Sequence, residues 1–309
     1  MTDPLLDSDI ALAVDIGGTK VEAALVTANG QLVAGSRHRA PTGRERSAEE
    51  LDASVRTVVE SALAAVQPRQ RLLGAGVGSA GPVFSPDGEI SPLNLPQWRR
   101  HRIAERVTAL TGLPTVVRLD GQCLALAEAW VGNLVGTRNA MALVVSTGVG
   151  SGLIVDGRLL SGGTGNAGHL GQMLIREVAA GQDPDEASVE RISSGTGSVA
   201  WARANGWEGT TGEELVADSL RGHPTAVAAI QRSVNGLAEA IASVGALVDI
   251  EAVSIAGGFA LGYPRYIEEV SAALARYNVL EHTTRITVHR SSLGGDAPLI
   301  GAGGLVWRA

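Results

Sequence analysis

The chain contains the same order of strand and glycine-turn signals twice. In the first half, apolar residues 10–14 stop at the turn 15–20, resume at residues 21–26, turn again at Asn29–Gly30 and continue at residues 31–34. Apolar runs of this length between glycine-rich turns are typical of short β-strands. We therefore expect strand, turn, strand, turn and strand in this part of the chain.

The second half repeats that order. Apolar residues 142–146 stop at the glycine-rich turn 147–152, resume at residues 153–155, turn at Asp156–Gly157 and continue at residues 159–160. A repeated order of this kind predicts an internal duplication, with a cleft between two halves of similar construction.

Helical signals lie between the strands. Ser47 and Glu50 form the pattern of a capping box, and the apolar residues of 51–66 fall on one helical face. Further helices are predicted at residues 121–130 and 234–247, and further strands at residues 72–78, 115–119 and 252–256. The chain is therefore predicted to be an α/β protein.

Composition excludes several classes of protein. The 309 residues are enough for two domains, and the net charge of −7 comes without any block of like charge, which argues against nucleic acid as the main partner. A single cysteine, Cys123, cannot form a disulfide or a zinc–thiolate cluster within one chain. Residues 1–9 are polar and acidic, and no apolar run is long enough to cross a bilayer. We expect a cytoplasmic protein that binds no membrane.

Three glycine turns, each after an apolar strand, are the strongest functional signal. Glycine lets the backbone approach an anion closely, and successive N–H groups in such turns form an anion-binding nest. One such turn is also ordinary in a β-hairpin. Three of them are harder to explain as plain turns, because polar side chains accompany them: Asp15, Thr19, Lys20 and Thr147.

These segments resemble the ROK family of sugar kinases and repressors. Residues 14–20 resemble its first phosphate loop, residues 146–152 its second, and residues 254–258 its adenosine segment. The stretch that ends at Gly171 resembles the ROK signature, and residues 294–301 resemble its C-terminal Asp-Ala-x-x-x-Gly-Ala segment. The match spans nearly the whole chain in the family's order. It implies an actin-like, ribonuclease-H-like duplicated sugar kinase fold of two domains.

The resemblance also implies a domain organisation. We expect an N-terminal α/β domain at residues 1–119, completed by a C-terminal helix at about residues 296–309, and a C-terminal α/β domain at residues 120–295. Nucleotide and sugar are expected in the cleft between them. ROK kinases are often dimers, so a homodimer is expected by resemblance.

Asp120 is the predicted general base. It ends a strand directly before a helix, where Asp is also a common N-cap. The resemblance places it at the family's catalytic Asp, which normally stands within Asn-Asp-Ala-Asn, whereas this chain has Leu119-Asp120-Gly121-Gln122. Phosphoryl transfer to a hydroxyl needs a group that accepts the proton. Capping and catalysis are compatible roles.

The resemblance assigns ATP and magnesium as cofactors. Asp15 is predicted to hold Mg²⁺ through water, because magnesium keeps much of its hydration shell. Lys20 is predicted to offset phosphate charge. The remaining assignments cover the phosphates (Gly17, Gly18, Thr19, Thr147 and Gly148) and the adenosine (Gly257 and Gly258).

Five residues are candidates for sugar binding. Asn94 lies in a segment similar to the family's sugar-contacting loop, and Gly81 precedes Pro82 in a turn that resembles the lining of the sugar pocket, although either sequence alone is an ordinary loop. Most ROK kinases have Glu at the position of His169, whereas some bacterial N-acetylmannosamine kinases resemble this chain in having His there. Gln172 stands where many ROK kinases have a second sugar-site residue, a His. Without the resemblance, His169 would be interpreted as a solvated loop residue. Glu190 and Asp120 complete the set.

The family's cysteine-rich zinc motif is missing. Residues 181–188 read Gly-Gln-Asp-Pro-Asp-Glu-Ala-Ser and contain neither Cys nor His. Because structural zinc prefers thiolate and imidazole ligands, no structural zinc is expected, and the acidic residues are predicted to form a solvated loop.

The predicted activity is ATP-dependent phosphorylation of a hexose or N-acetylhexosamine, at the 6-hydroxyl, with N-acetylmannosamine favoured and glucose as the alternative substrate. Two other classes of protein share features with this sequence, a ROK repressor and a sugar-binding pseudokinase. A ROK repressor carries a helix-turn-helix domain before the first phosphate loop, which here begins at Asp15 and leaves no room for one. A sugar-binding pseudokinase stays open, because the residues around Asp120 and the zinc motif are altered.

Overall fold

The computed structural model describes residues 9–84 and 87–308. The chain divides into two compact units. The first contains Met1–Val135, Leu159–Ala167 and Gly295–Ala309, and the second contains Gly136–Arg158 and Gly168–Gly294.

The first unit is built on a five-stranded sheet. Its strands are β1 (Asp9–Ile16), β2 (Lys20–Thr27), β3 (His38–Pro41), β4 (Arg71–Ser79) and β7 (Thr115–Leu119), and a small hairpin is formed by β5 (Val83–Phe84) and β6 (Glu89–Ile90). The order in the sheet is β3-β2-β1-β4-β7. Strand β1 is antiparallel to β2 and parallel to β4, and β4 is parallel to β7. The helices are α1 (Ala48–Leu63), α2 (Ile103–Thr111), α3 (Asp120–Val131) and α10 (Ala297–Trp307).

The strand predicted at residues 31–34 is wrong. Only Leu32 makes a single β-bridge, to Val26, before the chain turns through Gly35 at a positive φ of 77°. The third strand of the sheet is instead β3, which pairs with β2. The capping box at the start of α1 is confirmed, since the Ser47 and Glu50 side chains bind each other's backbone N–H groups.

Alternation along β1 builds two cores on the two faces of this sheet. Leu12 and Val14 pack with the apolar face of α1, whereas Ala13 packs with α3 and α10. The second face uses small residues because the helices lie very close: a Cβ on Gly301 of α10 would stand 1.8 Å from the Cys123 carbonyl oxygen. A core of this kind needs few aromatic side chains.

This packing also explains where the first unit ends. Helix α3 packs extensively against α10, so the unit continues to Val135, whereas the sequence places the boundary after residue 119. Residues 159–167 also belong to this unit. Helix α10, at the C-terminal end, also belongs to this unit.

The second unit is built on another five-stranded sheet. Its strands are β8 (Ala140–Val145), β9 (Val149–Val155), β10 (Arg158–Leu159), β11 (Ala252–Ala256) and β12 (Thr287–Arg290), and its helices are α4 (Val189–Ser193), α5 (Gly195–Ala204), α6 (Gly212–Leu220), α7 (Pro224–Val248), α8 (Gly258–Gly262) and α9 (Tyr266–Tyr277). The order in the sheet is β10-β9-β8-β11-β12. Strand β8 is antiparallel to β9 and parallel to β11, which is parallel to β12, as for β1, β2, β4 and β7. The predicted duplication of strand order is therefore confirmed.

Among residues 9–84 and 87–308, no helix combines the length and the apolar character that a membrane span requires.

Candidate active site

The first glycine loop joins β1 to β2 and is held by hydrogen bonds. The Gly17 N–H donates to the Lys20 carbonyl at 2.9 Å. Thr42, just after β3, donates from its hydroxyl to the Gly17 carbonyl at 2.7 Å and from its N–H to the Thr19 carbonyl at 3.0 Å. Thr42, the residue that follows β3, thus fixes the shape of the loop.

Space, rather than backbone conformation, selects glycine at position 18. Gly18 does not adopt a positive φ, but a Cβ there would stand 2.5 Å from the Asn94 amide nitrogen. The neighbours of Asn94 anchor its loop, because Leu95 and Trp98 are almost fully buried while Asn94 stays exposed. The structure therefore brings a predicted sugar residue against a predicted phosphate residue.

Two carboxylates lie close together in this unit. Asp15, near the end of β1, is half-buried; loss of solvation and the nearby charge of Asp120 raise its pKa to about 7, against the effect of Lys20. Asp120 is the first residue of α3, and its Oδ1 accepts from the Gly121 N–H at 2.7 Å. Leu119 occupies the N-cap position, so the interpretation of Asp120 as the N-cap is wrong.

This pair fits a magnesium ion. Mg²⁺ prefers carboxylate oxygens and retained water as ligands. A nearby cation would also stabilise the charged form of Asp15, which desolvation and Asp120 disfavour in the protein alone. The donor set is thus suited to the metal that the sequence predicts at Asp15.

An ion cluster around a buried glutamate lies beside the first loop, and it is not predicted from the sequence. Glu22 on β2 is 2% exposed and is paired with Lys20, Arg37 and Arg39. Burial opposes its ionisation, but hydrogen bonds from the three cations lower its pKa to about 2. Arg37 also pairs with Asp296. The signal was a Glu inside the apolar run of β2, which requires charged partners when it is buried.

The second glycine loop, between β8 and β9, is tied to the start of α5. The Ser146 N–H donates to the Gly148 carbonyl at 2.9 Å, and the Ser146 carbonyl accepts from the Gly195 N–H at 2.8 Å. The hydroxyl of Thr196 donates to the Thr147 carbonyl at 2.6 Å. A helix start therefore holds this loop, whereas a strand holds the first one.

Glu190, on α4, lies against the second loop. Its Oε2 accepts from the Val149 N–H at 2.8 Å, and a Cβ on Gly148 would stand 2.5 Å from the same oxygen. This explains the glycine at position 148. The predicted contact of Glu190 with a sugar stays a prediction.

His169 is fixed through the backbone on both of its sides. The buried hydroxyl of Ser151 donates to the Gly168 carbonyl and accepts from the Leu170 N–H at 3.3 Å. Loss of solvation lowers the pKa of His169, and the carboxylate of Glu190 opposes this effect. The side chain itself is exposed, and in its neutral form the imidazole has one donor and one acceptor.

Gly257 begins the third glycine segment and could not carry a side chain. Its φ is +106°, and a Cβ would stand 2.3 Å from the Val145 carbonyl oxygen. Gly258, which follows it, lines a cavity of about 530 Å³ within the second unit, together with Thr147. Cavities of this size hold small organic ligands.

The helical walls of this cavity were not predicted. They combine apolar and polar side chains from α5, α6 and α8 and the segment before α6, among them Val199, Arg203, Thr211, Glu213 and Phe259. A signal for α6 was present, since Thr211 and Glu214 form a capping box that the structure contains. Apolar faces with a few polar groups suit a nucleoside.

Residues 176–188 form a loop whose two ends are joined by backbone hydrogen bonds. Backbone hydrogen bonds join Ile175 to Ala187 and Met173 to Val189, and Asp183 caps a 3₁₀ turn at Pro184–Ala187. Glu186 pairs with Arg191. In the described residues, no group of three or more His, Cys, Asp or Glu side chains is arranged to hold a metal ion. Protein contacts thus shape the segment where the family's zinc motif would stand.

Comparison with known proteins identifies the family. The ROK family profile matches residues 11–309. An N-acetylmannosamine kinase of Citrobacter koseri is 32% identical over 296 residues, which cover 94% of this chain and 96% of that protein. The chain therefore belongs to the ROK family.

Solved structures agree with this assignment. A ROK hexokinase from Thermus thermophilus matches with a TM-score of 0.82 and 27% identity, over 95% of this chain and 96% of that chain. A ROK family glucokinase from Streptomyces griseus, solved with glucose and AMPPNP, matches with a TM-score of 0.80 and 24% identity, over 96% and 98% of the two chains. The predicted α/β sugar kinase fold of the actin-like type is confirmed.

Proposed function

We propose that this protein transfers the γ-phosphoryl group of ATP to a hydroxyl of an N-acetylhexosamine or a hexose, with N-acetylmannosamine as the preferred acceptor. It is an ATP-dependent sugar kinase of the ROK family. The observation that carries the proposal is the pair of neighbouring carboxylates, Asp15 and Asp120, in the unit that holds the first glycine loop.

In this proposal, ATP binds through the glycine segments. The cavity lined by Thr147 and Gly258 accepts the adenosine, because apolar walls can cover a purine while Arg203, Thr211 and Glu213 offer polar contacts. The loops at Gly17 and Gly148 lie on the phosphates, whose negative charge Lys20 and the neighbouring arginines offset. Asp15 holds Mg²⁺ through water, and the ion supplies charge neutralisation on the phosphates.

Asp120 accepts the proton of the attacking hydroxyl, which we assign as the 6-hydroxyl. Its place at the N-terminus of α3 suits a carboxylate, because the helix dipole stabilises negative charge there. General base catalysis contributes a factor of about 10² to 10⁴ to the rate. Gly81, Asn94, His169 and Glu190 contact the sugar in this proposal.

His169 is the reason to favour an N-acetyl sugar. A Glu at this position would accept hydrogen bonds from two adjacent hydroxyls, whereas a neutral imidazole, the form that loss of solvation favours at His169, offers one donor and one acceptor. That pattern matches an acetamido group at the 2-position better than a free hydroxyl. The name of the Citrobacter koseri relative supports the same choice.

A coupled ADP-release assay over a panel of hexoses and N-acetylhexosamines tests the proposal. We expect the highest kcat/KM on N-acetylmannosamine. Strong activity on glucose with none on any N-acetyl sugar would overturn the substrate but leave the kinase activity in place. A folded protein that binds ATP and sugar, yet releases no ADP with any sugar, would instead indicate a sugar-binding pseudokinase.

A further inference from the structure

A short segment connects the helix of Asp120 to the loop of Asn94 in the first unit. It consists of residues 160–167 and is called the strap here. Its ends are drawn together by a hydrogen bond from the Ala167 N–H to the Ser161 carbonyl at 3.1 Å. Two amide side chains hold the strap, one on each side.

Gln122 holds the strap to α3. Its side chain is fully buried, and its Nε2 lies within hydrogen-bonding distance of three strap carbonyls: Leu160 at 3.2 Å, Gly165 at 3.2 Å and Ala167 at 2.9 Å. Its Oε1 accepts from the Leu119 N–H at 3.3 Å. Both ends of the amide are therefore satisfied, two residues away from Asp120.

Asn166 holds the other side of the strap to β5. Its Oδ1 accepts from the Val83 N–H at 2.9 Å, and its Nδ2 donates to the Val83 carbonyl at 2.6 Å. This pair of bonds imitates the pairing of a neighbouring strand. Val83 directly follows Gly81-Pro82, the turn predicted to line the sugar pocket.

The same turn supports the loop of Asn94. The Ser91 N–H donates to the Pro82 carbonyl at 2.9 Å, and the Leu93 N–H donates to the Gly81 carbonyl at 3.3 Å. Asn94 comes next in the chain and packs on Gly18. A continuous path of contacts thus runs from α3 through the strap to the sugar loop.

We propose that Gln122 and Asn166 are positioning residues for sugar recognition, which act by holding the strap between the helix of Asp120 and the loop of Asn94. The inference rests on the proposed function. Gln122 accounts for one departure from the family's Asn-Asp-Ala-Asn pattern, because its amide serves the strap backbone. Loss of either amide leaves buried backbone groups without partners, so the strap shifts and the sugar residues of this unit lose their alignment.

The variants Gln122→Leu and Asn166→Ala, alone and combined, test this inference. We expect each to raise the KM for the sugar about tenfold and to weaken sugar binding in calorimetry equally, because a misalignment that costs the sugar about one hydrogen bond corresponds to roughly that factor. The KM for ATP should change less than about twofold. The double variant should resemble either single variant, since both act through one element.

Asn139→Ala is the matched control. Asn139 also fixes a turn through its amide, since its Oδ1 accepts from the Asp156 N–H at 2.9 Å, but it lies in the second unit. It should lower thermal stability without changing the KM for the sugar. Should Gln122→Leu fail to fold, Gln122→Glu keeps the shape and the acceptor and removes the donors, and should raise the sugar KM in the same way.

Three results would overturn the inference. They are an unchanged sugar KM in folded variants, an equal rise in the KM for ATP, or fully additive effects in the double variant. If the wild-type protein is active and the variants are unaffected, the positioning role of Gln122 and Asn166 is contradicted while the proposed kinase activity stands. A wild-type protein that phosphorylates no sugar would contradict the proposed function and, with it, the role of the strap.

Discussion

Replacement of Asp15 by asparagine should stabilise the protein at alkaline pH while it removes activity. The pKa of Asp15 rises from 3.8 to about 7 in the folded state. Between these two values the folded state therefore binds more protons than the unfolded state, and the free energy of unfolding falls as the pH rises. Above about pH 7 the destabilisation is complete, because Asp15 is then ionised in both states.

The size of the effect follows from the same shift. One pKa unit corresponds to about 1.4 kcal/mol, so the full shift would be worth about 4 kcal/mol. Because Asp15 keeps some contact with solvent, about half of that is a better expectation. The amide side chain of the variant cannot ionise, so the variant should be about 2 kcal/mol more stable than the wild type near pH 8 and nearly equal to it near pH 4.

Urea unfolding across this pH range, without nucleotide or magnesium, measures the difference. Asp156→Asn is the control, because it makes the same exchange at an exposed residue that pairs at the surface with Arg138, and it should change the free energy of unfolding only slightly. A difference between Asp15→Asn and the wild type that is independent of pH, or a variant that is less stable near pH 8, would refute the electrostatic argument. Turnover of the Asp15→Asn variant should nevertheless fall, because residues that serve function often lower the stability of the folded protein.

Three further predictions concern the first unit and the metals. Glu22→Gln should lower the free energy of unfolding by about 3 kcal/mol near pH 7, because three cations lose the charge of a buried partner. The pKa of Glu22 falls from 4.5 to about 2 in the folded state, so its stabilisation should be complete above pH 4.5 and disappear as the pH falls through 2. Acid unfolding of the variant and the wild type measures this difference. Gly301→Ala should cost about 3 kcal/mol or more, because its Cβ would overlap the Cys123 carbonyl, whereas Gly295→Ala, which meets no atom within 4 Å, should be nearly neutral in thermal unfolding. Activity should require Mg²⁺ and the purified protein should hold no stoichiometric zinc; zinc found by elemental analysis, and removed by a chelator with loss of fold, would contradict the interpretation of residues 181–188.

Local patterns predicted the sheets well. Strands β7 and β11 begin and end where the sequence places them, because each is a short, mainly apolar run with a turn residue directly beside it, Pro114 before β7 and Gly257 after β11. The duplicated order of strands was also visible. The error at residues 31–34 arose because an apolar pair after a turn does not show whether a strand or a bend follows.

Contacts between side chains that are far apart in the chain could not be predicted from the sequence. Gln122 looked like a departure from the family's pattern, and its partners in the strap lie 38 to 45 residues away. Glu22 likewise meets Arg37 and Arg39 only after β3 pairs with β2. Within each unit the predicted residues converge, as Asn94 does on Gly18, but their roles in binding and catalysis stay predictions, as does the homodimer.

The general base assignment is tested most directly by one comparison. Asp120→Asn keeps the size and shape of the side chain but cannot accept the proton, so turnover with ATP and the preferred sugar should fall by a factor of about 10² to 10⁴. Sugar binding, measured by calorimetry on the same preparation, should stay within about threefold of the wild type. Near-normal turnover in a folded Asp120→Asn protein would contradict the account.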